Sequence, residues 1–208
     1  IKEGYQVIGI KNGWKGLVDK STIALDLTSV SGILPKGGTI LGTSRTNPYK
    51  KEGDVKKVQE NYKKLGLEAL IAIGGEDTLG VAAKLYKDGL NVVGAPKTID
   101  NDIGKTETSV GFDTAVTVAT EALDRLQPTA ASHDRVMILE VMGRDAGHIA
   151  LASGIAGGAD VILLPEIPYS VDAVAKKLKQ VKAKGRNFAL VVVSEAVKKQ
   201  DGGSAKMK

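Results

Sequence analysis

The stretch that most constrains this chain runs from position 69 to position 102. It opens on Ala69-Leu70-Ile71-Ala72-Ile73, an apolar run with no polar break, the pattern of a strand buried on both faces. Gly74-Gly75-Glu76-Asp77-Thr78 follows, and Leu79, Ala82, Ala83 and Tyr86 then recur at helical spacing up to Gly89. A second apolar run, Leu90-Asn91-Val92-Val93, predicts a strand over residues 91–95. Strand, helix and strand make a βαβ unit, which requires a parallel sheet and a right-handed crossover.

The second strand delivers a loop dense in chemistry, Pro96-Lys97-Thr98-Ile99-Asp100-Asn101-Asp102. Pro96 lacks an N–H and fixes φ, so strand pairing is expected to end there. Beyond it stand one amine, one hydroxyl and two carboxylates. In a parallel sheet the loop past a strand's carboxyl end is where ligands bind. Asn and Asp also favour turns for local reasons, so a plain polar loop competes with that reading. At the end of the first strand, Gly74-Gly75 allows close approach of a ligand to backbone at a helix N-terminus, which favours anions. Glu76 and Asp77 at that place fit a complement to the helix dipole. They fit equally a magnesium-assisted phosphate site, in which the metal bridges carboxylate and phosphate oxygens. Two acidic loops on successive strands of one βαβ unit favour metal and phosphate.

The remaining chain keeps the alternation. Residues 5–10 read as a strand, and residues 34–45 as a glycine-rich loop ending in Arg45. Flexible backbone with one Arg suits an anion held bidentately, and suits a simple turn as well. Asp54 is placed to cap a helix with Val55, Val58, Tyr62 and Leu65 on one face and Gly66 at its stop. Gly104-Lys105-Thr106 has the ending of a P-loop, but the first glycine of that motif would fall at Ile99. Neither a Walker A loop nor a GxGxxG fingerprint is present. Asp113 can cap a helix through Val116, Ala119, Leu123 and Leu126, ended by Gln127-Pro128. Strands are predicted over 135–141, 160–164 and 188–193. A small-residue helix follows Met142-Gly143-Arg144-Asp145-Ala146-Gly147, and a Lys-rich helix follows Pro165-Glu166.

Composition excludes several classes. The 208 residues hold no Cys, which removes disulfides, thiolate catalysis and Cys-bound metals together. His133 and His148 are the only histidines, too few for a zinc site unless carboxylates dominate it. No apolar run approaches the ~20 residues that span a bilayer. The opening Ile1-Lys2-Glu3-Gly4 has no signal-peptide character, so a cytoplasmic location is expected. Net charge is a modest +5 and aromatics are 4% of residues, which leaves no stacking platform for single-stranded nucleic acid. The lysines of residues 176–184 flank a stripe of Val174, Leu178 and Val181, as on a solvated helix face.

Taken together, Gly74-Gly75-Glu76-Asp77-Thr78, the loop from Pro96 to Asp102, and Met142-Gly143-Arg144 resemble the phosphofructokinase family. The likeness runs from Gly4 to about Glu195. It implies an α/β chain of two Rossmann-like, three-layer parallel-sheet domains: 1–111 for the phosphoryl donor and 112–208 for the sugar phosphate. By the same likeness Asp100 would be the general base on the 1-hydroxyl of fructose 6-phosphate, with Thr98, Ile99 and Asp100 lining the sugar phosphate. Glu76 would hold Mg²⁺ with help from Asp102. Met142, Gly143, Arg144 and Glu195 would contact the sugar, Arg135 would reach a neighbouring subunit's substrate, and Arg45 and Gly75 would lie on the donor. A homodimer or homotetramer acting in glycolysis is implied, with no nucleic-acid or membrane partner.

Asp77 and Lys97 bear on the donor. Members of the family that use ATP tend to carry glycine at the position of Asp77. Those that use pyrophosphate tend to pair an aspartate there with a lysine at the position of Lys97. A carboxylate fills and repels the α-phosphate position, and Lys97 supplies a cation to the pyrophosphate leaving group. Pyrophosphate is therefore the expected donor; ATP-dependent transfer, or a fragment that only binds sugar phosphate or regulates, are the alternatives. The family's glycine-rich opening and its phosphate-binding tail are not found in these residues, so an incomplete internal piece, inactive alone, is expected.

Overall fold

The computed structural model describes residues 1–201; residues 202–208, which include Ser204–Lys208, lie outside the described residues. The chain divides into two compact units, Ile1–Ala95 and Pro96–Lys208, with the division inside a strand. The expected boundary at 111/112 separates ligand-binding roles, which compactness alone does not address.

In the first unit, β1 (Val7–Ile10) and β2 (Thr22–Leu25) pair antiparallel, with Val7 opposite Leu25. The short α1 (Trp14–Asp19) joins them and buries Trp14 and Leu17. α2 (Asp54–Lys64), β3 (Leu70–Gly74), α3 (Glu76–Lys87) and β4 (Val92–Thr98) follow, which is the βαβ unit read from sequence. Gly66, at φ 64° just past the C-cap Leu65, stops α2 as expected. Its N-cap is Gly53 at φ 81° rather than Asp54. Asp54 is instead the first helical residue, buried and 3.3 Å from Lys57.

Val58, Ala72, Val81, Ala82, Leu85, Leu90 and Val92 form the core with Trp14 and Leu17. On α3 the buried stripe is therefore Val81, Ala82 and Leu85, while Ala83 and Tyr86, expected on the inner face, are exposed. Two stripes at helical spacing overlap in this segment. The one that packs with Val58, Ala72, Leu90 and Val92 is the buried one, and at the start of α3 a Cβ on Gly74 would lie 2.6 Å from Thr78.

Two further expectations are corrected. β3 is covered on one face only: Ala72 is buried, whereas Ile71 and Ile73 are 67% and 62% exposed, as is Val93 of β4 at 58%. Side chains alternate along a strand, and the unit's helices supply apolar partners to one set alone. Nor does Pro96 end β4, which continues to Thr98. Parallel pairing with β5 (Val110–Gly111) involves Lys97 and Thr98, so no N–H is needed from Pro96, and its fixed φ suits an extended chain.

In the second unit α4 (Phe112–Ser132) is capped by Gly111 at φ 108°, and it runs through Pro128 instead of stopping there. Pro128 stands in the exposed last turns, where the carbonyl it leaves unbonded can reach water; Ser132 Oγ then donates to the Pro128 carbonyl at 2.7 Å. β6 (Val136–Val141), α5 (His148–Ala156), β7 (Val161–Leu163), α6 (Val171–Ala183) and β8 (Ala189–Ser194) complete the unit. The sheet order is β6-β8-β7, all parallel. The central β8 is the most buried strand. Leu123, Ala130, Ala150, Leu190 and Val192 form the core, joined by Met137, Leu139 and Val141 from alternate positions of β6. The opposite positions, Val136 and Ile138, are exposed. α6 buries no residue fully: its lysines lie outward and Val174, Leu178 and Val181 are half-buried, a solvated face as read from sequence.

Candidate functional site

Every loop singled out from sequence leaves the carboxyl end of a strand. The end of β4 carries Thr98, Ile99 and Asp100 directly off its pairing with β5. Asp100 is buried, 8% exposed, and its backbone N–H donates to Thr98 Oγ1 at 3.2 Å. Burial pushes the Asp100 carboxyl above the usual aspartate range, and the charge of Asp102 pushes the same way, with a smaller push from Glu195. The Thr98 hydroxyl and the Arg144 guanidinium pull it down. Asp100, Asp102, Arg144 and Glu195 thus share one electrostatic neighbourhood, assembled from the ends of β4, β6 and β8.

The end of β6 turns sharply. Gly143 has φ 147° and Arg144 φ 53°, and the turn closes through Ala146 N–H to the Gly143 carbonyl at 3.0 Å. A Cβ on Gly143 would lie 2.4 Å from the Ala146 carbonyl oxygen, so only glycine fits. Two successive backbone N–H groups, from Gly143 and Arg144, donate to Glu195 Oε1 at 3.1 and 2.8 Å. This backbone nest prefers an anion, and Glu195 supplies one while its second oxygen stays available. At the far end of the loop Glu166 Oε1 accepts from Gly147 N–H at 2.8 Å. Met142 and Arg135 flank β6, both exposed.

In the first unit, Gly75 caps α3, and Glu76 and Asp77 are exposed in its first turn. Arg45 is exposed in its loop, which Ser44 Oγ ties to the Asn12 carbonyl at 2.7 Å. Lys97 is exposed on β4 at the start of the second unit. Arg45, Gly75, Glu76 and Asp77 therefore belong to one unit, and the remaining predicted residues to the other.

Among the described residues no group of three His, Cys, Asp or Glu side chains is arranged to hold a metal ion. Magnesium does not require one, because it binds through one or two carboxylates plus substrate phosphates and water. The exposed carboxylates of Glu76, in the first unit, and Asp102, in the second, are each hard oxygen donors of the kind that ion takes. Sequence reasoning gave no role to Asn101, Ser109 or Glu166. Asn101 could have been found from the preference of Asn for left-handed backbone. Ser109 carries no local signal.

The ends of β4, β6 and β8 thus bring together Gly143, where only glycine fits, and the carboxylates of Asp100, Asp102 and Glu195. The Phosphofructokinase family profile matches residues 1–208. The chain belongs to the phosphofructokinase family. It is 55% identical over 194 residues to a pyrophosphate–fructose 6-phosphate 1-phosphotransferase of Dictyoglomus thermophilum, covering 93% of this chain and 56% of that protein. It is 52% identical over 214 residues to ATP-dependent 6-phosphofructokinase 1 of Synechocystis sp., covering 98% of this chain and 59% of that protein. The chain thus spans less than three-fifths of the length of these phosphofructokinase relatives. The crystal structure of Pichia pastoris phosphofructokinase in the T-state superposes with a TM-score of 0.87 at 32% identity, over 96% of this chain and 24% of that one. That of the pyrophosphate-dependent phosphofructokinase from Marinobacter aquaeolei gives 0.77 at 27% identity, over 94% and 53%. The α/β phosphofructokinase fold expected from the sequence is the fold observed.

Proposed function

We propose that this protein takes part in reversible phosphoryl transfer from pyrophosphate to the 1-hydroxyl of fructose 6-phosphate. The observation that carries the reading is Asp100: a buried carboxylate whose pKa is raised, at a strand end, beside Asp102, Arg144 and Glu195. A carboxylate held there accepts the hydroxyl proton as the new P–O bond forms, and its raised pKa strengthens it as a base. Thr98 and Ile99 line the sugar phosphate. The free oxygen of Glu195 accepts a sugar hydroxyl, with Met142 and Gly143 against the sugar. Arg144 and Lys97 stabilise charge on the transferring group. Arg45, Gly75 and Asp77 face the donor, and exposed Arg135 extends to substrate bound by a neighbouring copy in a homo-oligomer. Glu76 and Asp102 would hold Mg²⁺, which when bound neutralises charge on the donor phosphates.

Pyrophosphate is favoured by Asp77 and Lys97 together, for the reasons of charge given above. Transfer from ATP on the same fold is the second reading, because relatives named for ATP stand at 50–52% identity beside those named for pyrophosphate. Steady-state rates of the intact protein with each donor decide between them. Turnover with pyrophosphate and none with ATP is expected, and Asp77→Gly should relax the exclusion; equal rates with both donors would sink the pyrophosphate reading. For the base, Asp100→Asn keeps the turn-forming side chain but cannot take the proton. Its kcat should fall by about 10²–10⁴ with little change in KM for fructose 6-phosphate. A near-normal kcat returns the loop to a structural role.

A further inference from the structure

The loop that presents Asp100 is held from behind by two residues that the reaction above does not use. Asn101, between Asp100 and Asp102, has φ 54°. Its side chain turns back into the unit, where Oδ1 accepts from the Ser109 backbone N–H at 2.8 Å and Nδ2 donates to the Glu107 carbonyl at 3.2 Å. Ser109 is 2% exposed, and its hydroxyl lies 2.7 Å from the Thr98 carbonyl and 3.2 Å from Asn101 Oδ1. A hydroxyl has one proton, and the shorter distance assigns it to Thr98. Ser109 therefore grips the loop on both sides of Ile99 and Asp100: through its hydroxyl at Thr98 and through its N–H at Asn101. It stands directly before β5, whose first residue pairs with Lys97, so the grip is anchored in the sheet.

We infer that Asn101 and Ser109 form a positioning clasp that fixes the Asp100 carboxylate in its buried place, without touching substrate themselves. Thr98 and Asn101 stand on either side of Ile99 and Asp100, and both are held by Ser109, so the buried Asp100 is carried on a loop tied at both ends. A displacement of about 1 Å in a reacting group can cost about 10²-fold in rate. The inference rests on Asp100 being the base.

The bland account is that Asn101 is present only because Asn tolerates left-handed backbone. Asn101→Gly separates the two accounts, because Gly adopts that backbone freely while removing every clasp bond of the side chain. In the intact protein, with fructose 6-phosphate and pyrophosphate, Asn101→Gly and Ser109→Ala should each lower kcat by about 10- to 100-fold. KM for pyrophosphate should stay within about twofold. The double variant should be little worse than the poorer single one, since the two residues act as a unit. Ser109→Thr, which keeps the hydroxyl, should recover most of the rate. Rates are taken per folded molecule, with folding followed by circular dichroism. A kcat for Asn101→Gly within about threefold of the parent overturns the clasp, as does a loss that vanishes on correction for folded fraction. Asp100→Asn measured alongside keeps the two claims apart. If it retains kcat, the assignment of the base is wrong; if it loses kcat while Asn101→Gly does not, the clasp alone is wrong.

Discussion

Replacing Gly143 by Ala tests whether the turn after β6 is the geometric heart of the sugar side. The added Cβ would lie 2.4 Å from the Ala146 carbonyl oxygen, a backbone atom that cannot rotate aside, at a residue with φ 147°. Non-glycine residues held in such backbone cost about 1–3 kcal/mol. Opening the turn to relieve the clash also weakens the Ala146 N–H bond to the Gly143 carbonyl and the two bonds to Glu195 Oε1. Bonds to a charged acceptor are worth about 1.5–3 kcal/mol each, and exposure of Glu195 places these at the low end or below. The full sum is not reached, because the loop can rearrange locally without unfolding the sheet. A stability loss of about 2 kcal/mol is therefore expected in urea denaturation, bounded by the strain range. The larger effect should be functional: a shifted Arg144 and an undocked Glu195 should raise KM for fructose 6-phosphate by about tenfold or more, equivalent to about 1.4 kcal/mol of lost binding. Gly158→Ala is the internal control, since φ there is 66° but nothing lies within 4 Å of the added Cβ. It should cost only the left-handed penalty of about 1–2 kcal/mol and leave KM alone. If Gly143→Ala were as stable as Gly158→Ala and bound the sugar phosphate normally, the reasoning from the close contact would be refuted.

Core and surface apolar residues of the first unit should separate cleanly in thermal and chemical denaturation. Leu85→Ala, at a fully buried position, should cost about 2–5 kcal/mol, whereas Ile73→Thr, on the uncovered face of β3, should stay within about 0.5 kcal/mol in the 208-residue chain. Asp100 makes the opposite prediction to a normal salt-bridged carboxylate. Its folded pKa is raised, so the folded state holds the proton more tightly than the unfolded one. Its ionised form then lowers stability above the folded pKa, a cost relieved as pH falls through that value. Measured without divalent metal at neutral pH, Asp100→Asn should be more stable than the parent, with the difference fading toward acid pH; equal stability at neutral pH would contradict the buried, charge-crowded placement.

The local sequence was sufficient for the order of the longer elements, but not for the short α1, β2 and β5, which it left unread. Apolar runs followed by Gly74-Gly75, by the acidic loop after Pro96 and by Met142-Gly143-Arg144 mark strand ends, because glycine and loop-forming polar residues interrupt both periodicities. It also supplied the residues with chemistry, since amines, carboxylates and guanidinium groups are visible wherever they stand. Where the elements end was less legible. Pro96 and Pro128 look like stops in one dimension, yet β4 and α4 run through them, because the bond each proline forgoes was not required by its neighbours in space. Burial was the least legible property. Ala69-Leu70-Ile71-Ala72-Ile73 is uniformly apolar, but only tertiary packing determines that Ala72 is covered and Ile71 and Ile73 are not. The same holds for the site. Glu195 is 51 residues from Arg144 in sequence, and Ser109 is 11 from Thr98. Their contacts arise because parallel strands bring remote loop ends to one edge of a sheet, a consequence of topology that no local spacing encodes.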